Sequence, residues 1–289
     1  MNIEMLCSTM ATYTTERVLR LHHWSDAVFS FSTTRNPGLR FENGQFVMLS
    51  LQGDGATRIT RAYSIASANY EDQLEFYSIK VPNGPLTSRL QFIEPGSPLL
   101  VSTKPTGTLV LRDLKPGKRL FMLATGTGVA PFLAIVKDPE TYERFEQVFL
   151  IRGARTVDGL AYADSVLQGL RHEPYLGELA NAQLRDYPTV TRQMFRNRGR
   201  ITTLIGSGAL FANLAIPPLD PENDRLMVCG NMRMIADLSR LLDSKGFKVS
   251  PRVGVAGDYA IERAFVETYD AAPVGDEDGA HRDVAVGSA

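Results

Sequence analysis

The chain has 289 residues, 44% hydrophobic and 22% charged, which suits a globular protein of more than one domain with a real core. Its formal net charge of -1 gives no reason to expect nucleic acid or an anionic membrane as a partner. The only cysteines are Cys7 and Cys229, too few for a four-thiolate iron–sulfur cluster or a disulfide framework. The histidines (His22, His23, His172 and His281) show no metal-type spacing with them, so no metal site is expected. The N-terminus has no basic segment leading into a long apolar run, and no stretch approaches the roughly 20 apolar residues of a membrane helix, so neither a signal peptide nor a membrane span is expected; with no disulfide framework, the expected compartment is the reducing cytoplasm.

The first part of the chain reads as short strands: Ala27–Thr33, Gly44–Leu51, Ile59–Ala66, Leu74–Val81, Leu99–Thr103 and Thr108–Leu111. Turn signals such as Asn36-Pro37-Gly38, Asn43-Gly44 and Asn83-Gly84-Pro85 separate them, a rhythm that predicts an antiparallel barrel or sandwich. One short helix is expected at Thr87 and Ser88, with a hydroxyl as its cap. After Leu114-Lys115-Pro116-Gly117 strands and helices alternate. Strands are predicted at Leu120–Ala124, Gln147–Arg152, near Val190 and at Leu226–Cys229, with helices at Pro131–Val136, Gly159–Leu170 and Ile235–Leu242. That alternation predicts βαβ units on a parallel sheet. The reading is two domains, 1–114 and 115–270, followed by an acidic, Ala/Gly-rich tail over 271–289.

Leu120–Ala124 runs into Thr125-Gly126-Thr127-Gly128-Val129-Ala130-Pro131-Phe132, a glycine-rich turn opening a helix. Glycines let the backbone approach a phosphate, and a helix start offers free N–H groups. The loop is neither G-x-G-x-x-G nor a P-loop, so a tight strand–helix turn without a ligand is the alternative. The next strand ends Leu150-Ile151-Arg152-Gly153-Ala154-Arg155, basic where an NAD-preferring fold carries an acidic residue. Arg192 and Arg200 follow in the basic stretch Thr191–Arg200. Guanidinium groups bind phosphate bidentately, which favours NADP over NAD, with a solvated basic face as the alternative. Arg61-Ala62-Tyr63-Ser64 brings together a diphosphate partner, a stacking ring and a hydroxyl on one strand, although the residues alone also fit an ordinary exposed strand. Trp24, Met227, Met232 and Met234 read as packing residues and Cys7 as inert.

Arg61-Ala62-Tyr63-Ser64 resembles the R-x-Y-S flavin motif of the ferredoxin–NADP(H) reductase superfamily. Gly84-Pro85-Leu86-Thr87-Ser88 resembles its second flavin element, Gly126–Phe132 its NADP pyrophosphate loop, and Cys229-Gly230-Asn231 its C-G-[SN] motif. The four motifs occur in the family's order, and with Ala264-Phe265 the resemblance covers the chain to about residue 267, looking most like the bacterial ferredoxin/flavodoxin–NADP(H) reductases.

The resemblance implies a two-domain fold, an antiparallel β-barrel for FAD followed by an α/β parallel-sheet domain for NADP(H). It implies a flavoprotein oxidoreductase, a ferredoxin–NADP(+) reductase, in which hydride passes from NADPH to flavin N5 and electrons leave singly for ferredoxin or flavodoxin. By resemblance Arg61 neutralises the diphosphate, with Ala62 beside it; Tyr63 lies against the flavin and Ser64 near its N5. Tyr77, Ile79, Lys80 and Val81 line the flavin pocket, Pro85, Leu86, Thr87 and Ser88 hold the diphosphate, and Thr127, Ala264 and Phe265 complete the FAD set. NADP falls to Gly126, Thr127, Gly128, Val129, Arg155, Arg192, Arg200, Cys229, Gly230 and Asn231. Ser64, Cys229 and Phe265 are the expected catalytic positions. The protein is expected to be a monomer. An acidic carrier would be steered by basic residues, with Arg35, Arg40, Arg58 and Arg89 as candidates. Competing readings are the reductase partner of an oxygenase, a flavin-bearing sensor with negligible turnover, and a nucleotide-binding protein without flavin.

Overall fold

A computed structural model describes residues 12–52 and 58–262. The first half builds a six-stranded sheet from β1 (Tyr13–His23), β2 (Val28–Thr34), β3 (Phe46–Gln52), β4 (Arg58–Ser64), β5 (Gln73–Ile79) and β6 (Pro98–Ser102). Its order is β4-β3-β6-β1-β2-β5 and every pairing is antiparallel. The sheet curls until its two edges meet. Ile65, just beyond β4, bridges Phe76 of β5, and Ala66 N–H donates to the Glu75 carbonyl at 2.8 Å. This bridge brings the two edges together at one end, and the curled sheet encloses a core of Phe29, Phe31, Val47, Leu49, Leu74 and Phe76.

The second half builds a five-stranded parallel sheet from β7 (Arg119–Thr125), β8 (Gln147–Ala154), β9 (Leu184–Val190), β10 (Asp224–Cys229) and β11 (Tyr259–Glu262), in the order β11-β10-β7-β8-β9. Among the described residues eight helices accompany the strands: α1 (Thr87–Leu90) in the first half, then α2 (Ala130–Ile135), α3 (Pro139–Arg144), α4 (Ala161–Arg171), α5 (Gly177–Gln183), α6 (Ile201–Gly206), α7 (Ala209–Leu214) and α8 (Met232–Ser244). β7 and β10 are buried throughout or nearly so, as a parallel sheet covered on both faces requires. Among the described residues no helix is long and apolar enough to cross a membrane, and no cluster of three or more His, Cys, Asp or Glu could hold a metal.

One buried cluster crosses from sheet to sheet, joining Val28, Ala66, Tyr77, Leu109 and Leu111 to Val129, Phe132, Tyr162 and Cys229. Tyr77 and Tyr162 stack across this seam with centroids 4.5 Å apart, and Trp24 approaches Tyr162 at 5.5 Å. Asn43 Nδ2 donates to Asp138 at 2.8 Å and Lys137 Nζ to Glu71 at 2.8 Å, adding polar ties along the same seam.

Three sequence expectations need correction. Thr108–Leu111 is not a strand: the chain there crosses between the sheets, and Thr108 N–H donates to Glu262 Oε2 at 3.0 Å instead of to a neighbouring strand. A single 3-10 turn at Leu111–Asp113 follows. No hydroxyl caps α1; the cap position is Leu86, and Thr87 Oγ1 points back to the Val81 carbonyl at 3.4 Å. Met232 is 44% exposed rather than filling a core gap, because it opens α8 at the surface.

Candidate functional site

The parallel sheet reverses its strand order at β7, which has β8 on one side and β10 on the other. Loops leaving the carboxyl ends of β7 and β10 therefore diverge, and the crevice between them is where open α/β sheets bind ligands. Both glycine motifs lie there. Gly126–Val129 forms a 3-10 turn that leads directly into α2, with Pro131 in its first turn. Gly126 has φ +56° with open space where a Cβ would stand, so its backbone is exposed. A Cβ on Gly128 would lie 2.5 Å from the Cys229 carbonyl oxygen, and one on Gly230 would lie 2.1 Å from Thr125 Oγ1. These two glycines are needed because the two loops touch at the base of the crevice, Gly128 against the Cys229 backbone and Gly230 against the Thr125 side chain.

Thr125 ties that contact together. Its Oγ1 accepts from Asn231 N–H at 3.3 Å and from Asn231 Nδ2 at 3.2 Å, while Asn231 Oδ1 accepts from Met234 N–H at 2.9 Å and caps α8. Thr125 is a site residue outside the set predicted from the sequence. Its signal was a hydroxyl residue at the junction of a buried strand and a glycine turn. Thr127 is half-buried and Val129 buried in the same turn. Cys229 is fully buried in the seam cluster, and burial first, the nearby Glu262 charge second, holds its thiol well above its ordinary range. It is a neutral thiol at the floor of the crevice, with Glu262 opposite it in the β10–β11 register.

Three predicted phosphate-binding arginines gather at the carboxyl edge of β8 and β9. Arg155, Arg192 and Arg200 are all exposed. Arg192 N–H donates to the Arg155 carbonyl at 2.9 Å, and Arg200 occupies the cap position of α6. Arg152, part of the same basic strand end, is not available to a ligand. Its side chain is 3% exposed, donates to both Asp186 oxygens at 2.6 and 2.7 Å, reaches the Leu160 carbonyl at 3.2 Å and also contacts Asp164.

On the other side of the seam, β4 carries Arg61, Ala62, Tyr63 and Ser64. Arg61 is exposed and donates to the Thr60 carbonyl at 2.8 Å; Ala62 is half-buried. Tyr63 packs edge-on against Phe31 and Phe76 in the first core, and its hydroxyl lies 3.0 Å from Ser78 Oγ. Ser64 Oγ is buried without a hydrogen-bond partner. Such a group costs about 1–3 kcal/mol unless something meets it, and a ring nitrogen of a bound flavin would supply the missing partner, so the residues fit that group.

The remaining predicted flavin residues divide. Pro85 is exposed, Ser88 half-buried, and Val81, Leu86 and Thr87 buried around α1. Gly84 is required there, since its Cβ would lie 2.3 Å from Thr87 Oγ1. Ile79 is 38% exposed, but the Tyr77 ring belongs to the seam and Lys80 Nζ donates to the Ser25 carbonyl at 2.7 Å. Ala264 and Phe265 lie outside the described residues. Of the basic residues considered for docking, Arg35 is engaged by the carbonyls of Asn69, Glu71 and Leu39, and Arg40 by that of Pro37. Arg58 and Arg89 are exposed.

Residues 21–110 match the oxidoreductase FAD-binding domain family, and residues 122–240 match the oxidoreductase NAD-binding domain family. A ferredoxin–NADP reductase from Pseudomonas aeruginosa is 58% identical over 258 residues, 89% of this chain and 100% of that protein. The flavodoxin/ferredoxin–NADP reductase of Escherichia coli is 35% identical over 233 residues, 79% of this chain and 89% of that protein. A crystal structure of a ferredoxin NADP+ reductase from Neisseria gonorrhoeae with bound FAD and NADP superposes with a TM-score of 0.79 at 31% identity, covering 89% of this chain and 100% of that one. With its curled antiparallel sheet, its parallel sheet and relatives matched over about nine-tenths or all of their length, this chain belongs to the ferredoxin–NADP reductase family.

Proposed function

We propose that the protein carries electrons between NADPH and ferredoxin or flavodoxin through a bound FAD. The observation that carries the reading is the seam: Ala66 beyond the R-A-Y-S strand and Cys229 of the C-G-N strand belong to one buried cluster, so the flavin and nicotinamide motifs converge there. When bound, the flavin accepts two electrons from a reduced nicotinamide and gives them up one at a time, which matches a pyridine nucleotide to a one-electron protein carrier.

Within this reading Arg61 neutralises the FAD diphosphate, with Thr87, Ser88 and the backbone of the turn before α1 beside it. Tyr63 supports the ring system, and the unpartnered Ser64 hydroxyl holds its reacting edge. Gly126–Val129 receives the nicotinamide-nucleotide pyrophosphate. Arg155, Arg192 and Arg200 receive the 2′-phosphate, where planar guanidiniums give bidentate bonds. Cys229, neutral and packed, shapes the nicotinamide end without adding charge. Exclusion of water by the apolar seam strengthens the polar contact at the buried Ser64 hydroxyl. The FAD-binding unit spans residues 1–114 and the NADP-binding unit 115–270. The protein works as a monomer in the cytoplasm, and both carriers remain candidates because the relatives' names include both.

Anaerobic stopped-flow absorbance tests the reading. Mixing with NADPH is expected to bleach a yellow flavin rapidly, and mixing with NADH slowly. A colourless protein, or a flavin that neither nucleotide bleaches, overturns it.

A further inference from the structure

Beyond the parallel sheet, the loops after β8 and β9 run side by side and are joined by three successive contacts. Thr191 N–H donates to the Ala154 carbonyl at 3.1 Å, and Arg192 N–H to the Arg155 carbonyl at 2.9 Å. The third contact is made by a side chain: Gln193 Oε1 accepts from Val157 N–H at 2.7 Å. Arg155 is thus held on both sides, at its own carbonyl by Arg192 and two residues later by Gln193. We infer that Gln193 is a positioning residue for cofactor selectivity, clamping the two loops so that Arg155 and Arg192 stay at the spacing a 2′-phosphate requires. The inference rests on the reading that these arginines receive that phosphate.

The physical case has three parts. Gln193 is exposed, so apolar burial does not account for its place, and an exposed side chain gives up rotamer freedom to hold one fixed bond. Its partner is the backbone, so the contact sets the path of the loop and not merely one rotamer. Arg155 and Arg192 carry like charges on adjoining loops and repel until an anion sits between them, so a crosslink that keeps the loops together lowers the reorganisation needed for binding. A nucleotide without the 2′-phosphate does not engage this spacing and is indifferent to the clamp.

The clamp can be broken from either side. Gln193→Ala removes the acceptor. Val157→Pro removes the donor, and the native φ of -66° at Val157 already suits proline. KM and kcat for NADPH and NADH are measured on the FAD-loaded enzyme with ferricyanide as acceptor, together with inhibition by 2′,5′-ADP and by 5′-AMP. Each variant is expected to raise the NADPH KM and the 2′,5′-ADP inhibition constant by roughly three- to tenfold, the worth of one hydrogen bond. The kcat, the NADH KM and the 5′-AMP constant stay as they were. The double variant is expected to be no worse than either single one, because both remove the same contact. Arg155→Ala is the control for the underlying reading. If it weakens 2′,5′-ADP but the two clamp variants do not, Gln193 is not a positioning residue. If Arg155→Ala affects both nucleotides equally, the phosphate assignment fails and the clamp fails with it. A clamp variant that alters kcat and all four constants together reports a general loss of loop structure and also overturns the inference.

Discussion

Two side chains that look alike in the sequence carry opposite duties in the structure. Arg152 and Arg155 are three positions apart on the same strand end, yet one is buried among carboxylates and the other exposed at the crevice. Removing the only partner of a buried charge costs about 3–5 kcal/mol, but Asp164 still pairs with Arg152 when Asp186 is lost. Asp186→Ala is therefore expected to lower stability by about 1–3 kcal/mol in urea unfolding while leaving the preference for NADPH over NADH intact; a shift in that preference without loss of stability would place Arg152 in the phosphate site. Ser64 makes the complementary case. Its hydroxyl is buried and unpartnered in the protein alone, so Ser64→Ala removes an orphan rather than a bond. The variant is expected to fold at least as stably without FAD as the parent does. With FAD bound, its NADPH-driven reduction is expected to slow by about tenfold to a hundredfold, the scale of a misplaced reacting group. Unchanged reduction in stopped flow would remove Ser64 from the site.

Among the elements, the two glycine loops are the most constrained pieces of the crevice. A methyl group at Gly128 would meet three backbone atoms, Cys229 O, Cys229 C and Gly230 N, all within 2.8 Å, and backbone cannot rotate away as a side chain can. Gly128→Ala is expected to cost about 1–3 kcal/mol through overpacking and to push the β7 and β10 loops apart. Flavin absorbance should be kept, since β4 and α1 are untouched, while the rate of reduction by NADPH falls by an order of magnitude or more; equal rates for variant and parent would mean the loops do not grip the nucleotide. How much of this was legible follows from the length of each signal. The glycine loops, β7, β8 and β10 stand out because buried parallel strands are continuous apolar runs that end in turn residues. β1 escaped because only Glu16 and Val18 of its eleven residues are buried, which leaves almost no alternation to read. Glu16 sits inside because the hydroxyls of Thr14 and Thr34 bond its carboxylate, a pairing that joins two strands and has no local trace. α3, α5, α6 and α7 span six or seven residues each, too few for a helical period to rise above chance. The misread Thr108–Leu111 shows the reverse: Leu109 and Val110 are fully buried, so the apolar run is real, but it lines the seam instead of pairing in a sheet.

At the scale of the whole molecule, the seam makes the two sheets depend on each other and gives the protein an alkaline limit. Tyr77 comes from the first sheet and Tyr162 from α4 of the second half, and they stack at 4.5 Å inside one cluster. Burial first, then the Asp158 charge, raises the Tyr77 phenol above its ordinary value of 10.0, with Arg152 acting in the opposite sense. Burial, then the Glu75 charge, does the same to Tyr162. A group whose folded pKa lies above its unfolded one contributes stability that is fully present below the unfolded pKa and is lost as pH rises. The phenolic part of the loss begins near pH 10, because above that point the unfolded chain releases phenolic protons that the seam retains, and the buried Cys229 thiol adds to it from about pH 8.5. The urea midpoint is therefore expected to fall between pH 8 and about pH 10.5. Tyr77→Phe separates the phenol from the ring. It keeps the stack and gives up only a long contact, 3.4 Å, to the Gly159 carbonyl. At pH 8 the variant should differ little from the parent, whereas at alkaline pH it should lose less of its midpoint, since one of the three tyrosines of the seam cluster can no longer ionise. If parent and variant lose the same amount between the two pH values, ionisation at Tyr77 does not open the seam, and the alkaline limit belongs to groups elsewhere in the fold.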